Sequence, residues 1–147
     1  ILESIKALGN LKSYRMHLTW DDGETDGEFI FGMVTNTTSV GGFRGLAPKD
    51  VSFHDGLFEG VFIRTPKTPA DLPNIISGLL LFPEQENKDV IRVKSSKFTV
   101  TAKEEIPWVL DGEFGGSVTE AKIENVKEAV TLSCSPEPEK QEEKTAG

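Results

Sequence analysis

A single cysteine, Cys134, stands in a chain of 147 residues. One thiol excludes an internal disulfide and any cysteine-rich metal site, and it is compatible with a reducing cytoplasm. Long apolar runs are also missing. The longest, residues 75–82, is far too short to cross a bilayer as a helix. Basic residues are outnumbered, with 16 Lys and Arg against 24 Asp and Glu and a formal net charge of -8. So acidic a chain carries no broad basic patch, which argues against nucleic acid as a partner. No internal repeat is present. Ser117 has no histidine close in sequence, so nothing points to a serine-hydrolase triad.

What is there reads mostly as strand. Tyr14, Met16, Leu18 and Trp20 alternate with Arg15, His17 and Thr19, the period of a half-buried strand. Residues 21–24 turn the chain. Residues 28–35 are apolar on both faces and predict a central strand between two layers. Residues 37–48 form a glycine-rich loop, and residues 57–64 alternate again. Thr68-Pro69-Ala70-Asp71 combines an N-cap, a proline at the first helical position and an early acid, so a helix runs from there towards Pro83. Residues 90–101 give one or two strands. Residues 117–127 and 129–134 give a closing pair. The last thirteen residues hold four Glu and two Lys with nothing apolar to bury, and are expected to be disordered. The expectation is a mainly β fold, a β-sandwich with one or two short helices, in one domain over residues 1–134 with an acidic tail over 135–147.

Two places carry candidate chemistry. Leu110-Asp111-Gly112-Glu113 follows Pro107-Trp108-Val109, which reads as a buried strand. If the strand continues, Asp111 and Glu113 lie on one face beside flexible backbone, a pattern suited to a general base or a metal-coupled phosphoryl-transfer site. Asp-Gly is equally a hairpin-turn signal. The second place is Asn36-Thr37-Thr38-Ser39-Val40-Gly41-Gly42-Phe43, then Leu46-Ala47-Pro48, then His54-Asp55-Gly56-Leu57-Phe58.

In this order, with Leu-Asp-Gly-Glu at the end, these motifs resemble the C-terminal domain of bacterial diacylglycerol kinase-like lipid kinases, a superfamily shared with sphingosine and NAD kinases. The resemblance spans nearly everything before residue 134 and implies a β-sandwich. It also implies transfer of a phosphoryl group from ATP to a lipid hydroxyl. Asp111 matches the family's general base and Glu113 its companion acid. Asp55 matches an acid that holds a structural magnesium ion, with the carbonyls of Ser52 and Leu57 as the implied co-ligands. His54 stands where the family usually has another acid. Phe43, Leu46, Phe53 and Phe114 flank the motifs and are the candidates for acyl-chain contact.

The family's Gly-Gly-Asp-Gly-Thr nucleotide motif is absent from this sequence. The first ten residues read as a helix end, so the chain is expected to be the lipid-side part of a longer protein. ATP would then be held mainly by an N-terminal domain. The resemblance leaves open a homodimer, and a cytoplasmic location with peripheral contact at the inner membrane face. It also leaves open a sphingoid-base or NAD kinase. A non-catalytic β-sandwich binding module is the reading of a different class.

Overall fold

A computed structural model describes residues 12–36, 56–81 and 85–126. The fold is mainly β. Strands β1 (Tyr14–Trp20), β2 (Gly23–Thr35) and β3 (Phe58–Arg64) are followed by a 3-10 turn, Pro69–Asp71, and helix α1 (Leu72–Leu81). Strands β4 (Val90–Ser95), β5 (Lys97–Leu110) and β6 (Glu113–Glu124) complete the order. All six described strands lie in one antiparallel sheet, ordered β4-β3-β2-β1-β5-β6.

That sheet folds over on itself, and β2 is the corner. Its first half, through Phe29, pairs with β1, and its second half, from Phe29 to Thr35, pairs with β3. The register slips between Phe29 and Phe31, and such a bulge sharpens the local bend and twist. Two further observations require the fold-over. Ser96 alone joins β4, at one margin of the sheet, to β5, four strands away in the order. The Phe62 ring on β3 also lies 6.0 Å from the Phe98 ring on β5, although β2 and β1 separate those strands. Two layers therefore face each other, as expected for a sandwich. One holds β1, β5, β6 and the start of β2. The other holds β3, β4 and the end of β2.

Met16, Leu18, Phe29, Phe62, Phe98 and Val100 fill the space between the layers. Gly60 sits under the Phe98 ring, so close that a Cβ there would lie 2.7 Å from two of its carbons. A second cluster lies on the outer side of β3. Leu72, Ile75, Ile76 and Leu79 recur at helical spacing along α1 and cover Ile63, with Ile30, Phe31 and Val90 alongside. The helix begins as expected. The Thr68 amide donates to Asp71 Oδ2 at 3.3 Å, and the Asp71 amide donates to the Thr68 carbonyl at 3.0 Å.

This cover changes one expectation. The alternation at 57–64 predicts one buried face, yet Glu59 through Ile63 are all buried, because α1 closes the face that would otherwise meet water. A latch holds the far corner. The Asp21 carboxylate accepts from the Ser96 amide at 2.7 Å and its hydroxyl at 3.0 Å. The Asp21 amide donates to Ser95 Oγ at 2.9 Å. Residues 1–11, 37–55, 82–84 and 127–147 lie outside the described residues. The glycine-rich loop, the last strand of the expected closing pair and the acidic tail fall there.

Candidate functional site

Pairing between β5 and β1 stops at Ala102 and Met16, but β5 runs on to Leu110. From Ile106 onward its described strand partner is β6 alone, and the two form a ribbon that ends in the turn Asp111-Gly112. Asp111 has φ 50° and Gly112 φ 88°. Positive φ at both central residues defines a type I′ turn, whose twist matches that of the flanking strands. Aspartate tolerates this left-handed geometry better than most residues, and glycine adopts it freely.

The turn corrects the expected placement of the two acids. Asp111 and Glu113 do not share a strand face. Asp111 occupies the reversal and Glu113 begins the returning strand, opposite Leu110. Both are exposed. The stretch before them is strand, as expected, but Pro107 and Val109 are exposed, on a ribbon that runs on past the end of β1. Its tip is apolar. Val109 is 66 %, Leu110 62 % and Phe114 72 % exposed, and Val109 and Phe114 are direct cross-strand partners. Gly115 gives the Leu110 side chain its place, since a Cβ at Gly115 would lie 2.8 Å from Leu110 Cγ.

Asn36 follows β2 directly and Leu57 precedes β3 directly. Thr35 pairs with Glu59, so the end of β2 and the start of β3 bring Asn36 and Leu57 to the same end of the sheet. Asn36 Oδ1 is buried with no hydrogen-bond partner among the described residues. Ser52 and Asp55 lie outside the described residues, as do Phe43, Leu46 and Phe53. Among the described residues no group of three or more His, Cys, Asp or Glu is arranged to hold a metal. No described hydrogen bond or ion pair links the Asn36–Leu57 corner to the Asp111 turn. The two share a core, because Val34 and Phe58 from the corner and Ile106 and Trp108 from the ribbon pack on the same buried cluster.

Sequence reasoning missed two polar groups here. Glu59 is fully buried, with Lys94 Nζ 3.7 Å from its carboxylate across the β3–β4 pair. The signal was present, since an acid inside Phe58-Glu59-Gly60-Val61-Phe62-Ile63 must be accommodated by a partner. Trp108 Nε1, just below the ribbon tip, is buried with no acceptor among the described residues. Arg92 on β4 is half-buried and lines a cleft with Gly78 and Leu79 of α1.

A diacylglycerol kinase of Bacillus subtilis is 30% identical over 115 residues, which is 78% of this chain and 37% of that protein. The chain is a relative of bacterial diacylglycerol kinases. A diacylglycerol kinase of Staphylococcus carnosus is 23% identical over 131 residues, 89% of this chain and 42% of its own length. The chain thus spans about two-fifths of the length of these relatives. No family model matches it. A Bacillus anthracis protein provisionally named a diacylglycerol kinase superposes with TM-score 0.69 at 23% identity, over 86% of this chain and 42% of that one. A crystal structure of a diacylglycerol kinase from the same strain gives TM-score 0.60 at 19% identity, over 85% and 44%. At these identities the superpositions establish the fold. Among the described residues no helix is long and apolar enough to cross a membrane.

Proposed function

We propose that this chain is the C-terminal, lipid-side part of an ATP-dependent lipid kinase, phosphorylating a hydroxyl of diacylglycerol or a related lipid. The observation that carries the reading is the tip of the β5–β6 ribbon. An acid held in a fixed turn is surrounded by exposed Val109, Leu110 and Phe114. Folding of this chain gains nothing from leaving those side chains in water. A lipid, or a second domain closing over the tip, would bury them.

In this reading Asp111 accepts the proton of the lipid hydroxyl as it attacks the γ-phosphorus, and Glu113 supports it from the next strand. The turn contributes position. Both φ values are set by the I′ geometry, so the carboxylate starts from a fixed backbone rather than a mobile loop. Most of the rate in phosphoryl transfer comes from such positioning and from charge stabilisation. ATP would be held mainly by an N-terminal domain, whose closure would dry the ribbon tip. The magnesium proposal keeps Asp55 with the carbonyls of Ser52 and Leu57. Of these, Leu57 is described, and it lies at the same end of the sheet as Asn36.

A specific observation favours a second reading. The I′ turn alone accounts for Asp-Gly, so a binding module would need no catalysis at Asp111. Turnover separates the two. In the full-length protein, Asp111→Asn keeps the turn but cannot take the proton, so kcat should fall by roughly two to four orders of magnitude with KM for lipid nearly unchanged. Wild-type turnover in that variant refutes the assignment.

A further inference from the structure

Two of the three described cations on β3 and β4 are engaged. Lys94 meets Glu59. Arg64 donates to the Asp26 carbonyl at 3.1 Å and to Thr25 Oγ1 at 2.7 Å, and lies over the Phe29 ring at 5.1 Å. Arg92 differs, since among the described residues it makes no hydrogen bond and no ion pair. It lines a cleft of about 650 Å³ between the C-terminal half of α1 and β4. The volume lies within the roughly 300–1,000 Å³ of typical small-molecule sites.

The lining has two characters. Leu79 and Val90, both members of the outer core cluster, supply an apolar wall. Arg92 and Lys88 supply two cations, against a single acid among the described lining residues, Glu86, which is exposed and pairs with neither. Burial pushes the Arg92 guanidinium below its usual value, which marks a charge partly withdrawn from water. A half-desolvated guanidinium without a carboxylate is an unfavourable arrangement that an incoming oxyanion would relieve with two parallel hydrogen bonds. The helix gives no help, because its carbonyl end faces this side and its dipole disfavours anions there. The two side chains must carry any such binding.

We propose that the α1–β4 cleft binds a small amphipathic oxyanion, with its charged head on Arg92 and Lys88 and a short apolar chain on Leu79 and Val90. The inference stands on the cleft and does not depend on the role of Asp111.

The test is an NMR titration of the ¹⁵N-labelled 147-residue chain with three probes: dihexanoyl phosphatidate below its micelle concentration, inorganic phosphate, and dihexanoyl phosphatidylcholine. Phosphatidate should give saturable shifts at Leu79, Lys88 and the Arg92 side chain. Phosphate should bind the same residues at least about tenfold more weakly, for lack of the apolar contact. Phosphatidylcholine, with no net charge, should leave them unmoved. Arg92→Gln should weaken phosphatidate binding roughly ten- to a hundredfold, with the rest of the spectrum in place. Arg92→Lys, which keeps the charge and loses the fork, guards against a variant that fails to fold and should weaken binding several-fold. Absence of saturable shifts, equal affinity for phosphate and phosphatidate, or unchanged binding in both Arg92 variants would each overturn the proposal.

Discussion

Gly60→Ala tests the folded-over sheet most directly. The added Cβ would lie 2.7 Å from Phe98 Cε1 and Cζ and 3.0 Å from Phe62 Cε2. Both rings are almost fully buried and touch each other, so neither can step aside without moving a layer. Overpacking of this kind costs about 1–3 kcal/mol. The loss of glycine's freedom in the unfolded chain offsets about 0.4–1 kcal/mol of that. The net is about 1–2 kcal/mol, and at this chain length Tm should fall by roughly 3–12 °C. The assay is thermal and urea unfolding of the 147-residue chain, with Gly60→Ala measured alone and again in a Phe98→Leu background. Phe98→Leu is itself destabilising, but it removes the ring edge that the new methyl would meet. In that background Gly60→Ala should cost under about 0.5 kcal/mol, a coupling that only neighbours show. An unchanged Tm in the single variant, or the same penalty in both backgrounds, would mean that β3 and β5 do not face each other at this point.

Asp111→Asn should leave Tm unchanged or slightly raised, because Asn-Gly suits a type I′ turn at least as well as Asp-Gly; a fall of several degrees would contradict the turn assignment. The hydrogen bond from the Ser96 amide, followed by that from its hydroxyl, holds the Asp21 carboxyl below the usual carboxylate range. Its folded value is depressed, so its stabilisation is present above the unfolded value near about pH 4 and is lost as pH falls through the folded one. Asp21→Asn should therefore lower Tm at neutral pH, with the gap to wild type closing in acid; a gap independent of pH would rule out the latch. Lys94→Met leaves buried Glu59 without its cationic neighbour and should cost about 1–3 kcal/mol by urea unfolding, less than a fully buried pair because Lys94 is about a third exposed. Val109→Thr with Phe114→Ser should change Tm of this chain little, since neither side chain is buried, yet should impair the proposed lipid phosphorylation by the full-length protein; a large Tm loss would show that the ribbon tip packs on the body.

Much of the fold was legible because its signals are local. Alternation marks β1 to the residue, and Thr68-Pro69-Ala70-Asp71 marks the helix start. The mainly β class follows from the density of such segments. What was not legible depends on what covers each strand. The same alternation reads as half-buried whether or not a helix lies on the other face, so full burial of β3 was hidden. Pro107-Trp108-Val109 is apolar enough to read as interior, yet the ribbon outruns its neighbour, and strand length relative to a partner is a tertiary property. At the candidate site, the motif order led to relatives that the comparisons bear out. It did not reveal that Asp111 sits in a reversal, because Asp-Gly supports a turn and a strand-end site equally. Nor could spacing expose Arg92, since the residues that withdraw it from water are distant in sequence.

The central position of β1 has a consequence for how the chain folds. Its partners are β2, reached by a tight turn, and β5, with Met16 opposite Ala102. During synthesis the β1–β2 hairpin can form early, but one edge of β1 stays open until most of the domain has been made. At roughly 5–20 residues per second the ribosome leaves that edge unpaired for several seconds. Long-range pairings of this kind also slow folding after release. His17, Glu24 and Asp26 line up along the waiting hairpin, with His17 Nδ1 3.0 Å from Asp26 Oδ1 and Nε2 3.4 Å from Glu24 Oε2. Such polar side chains make the open edge a poor template for another nascent chain while it waits for β5.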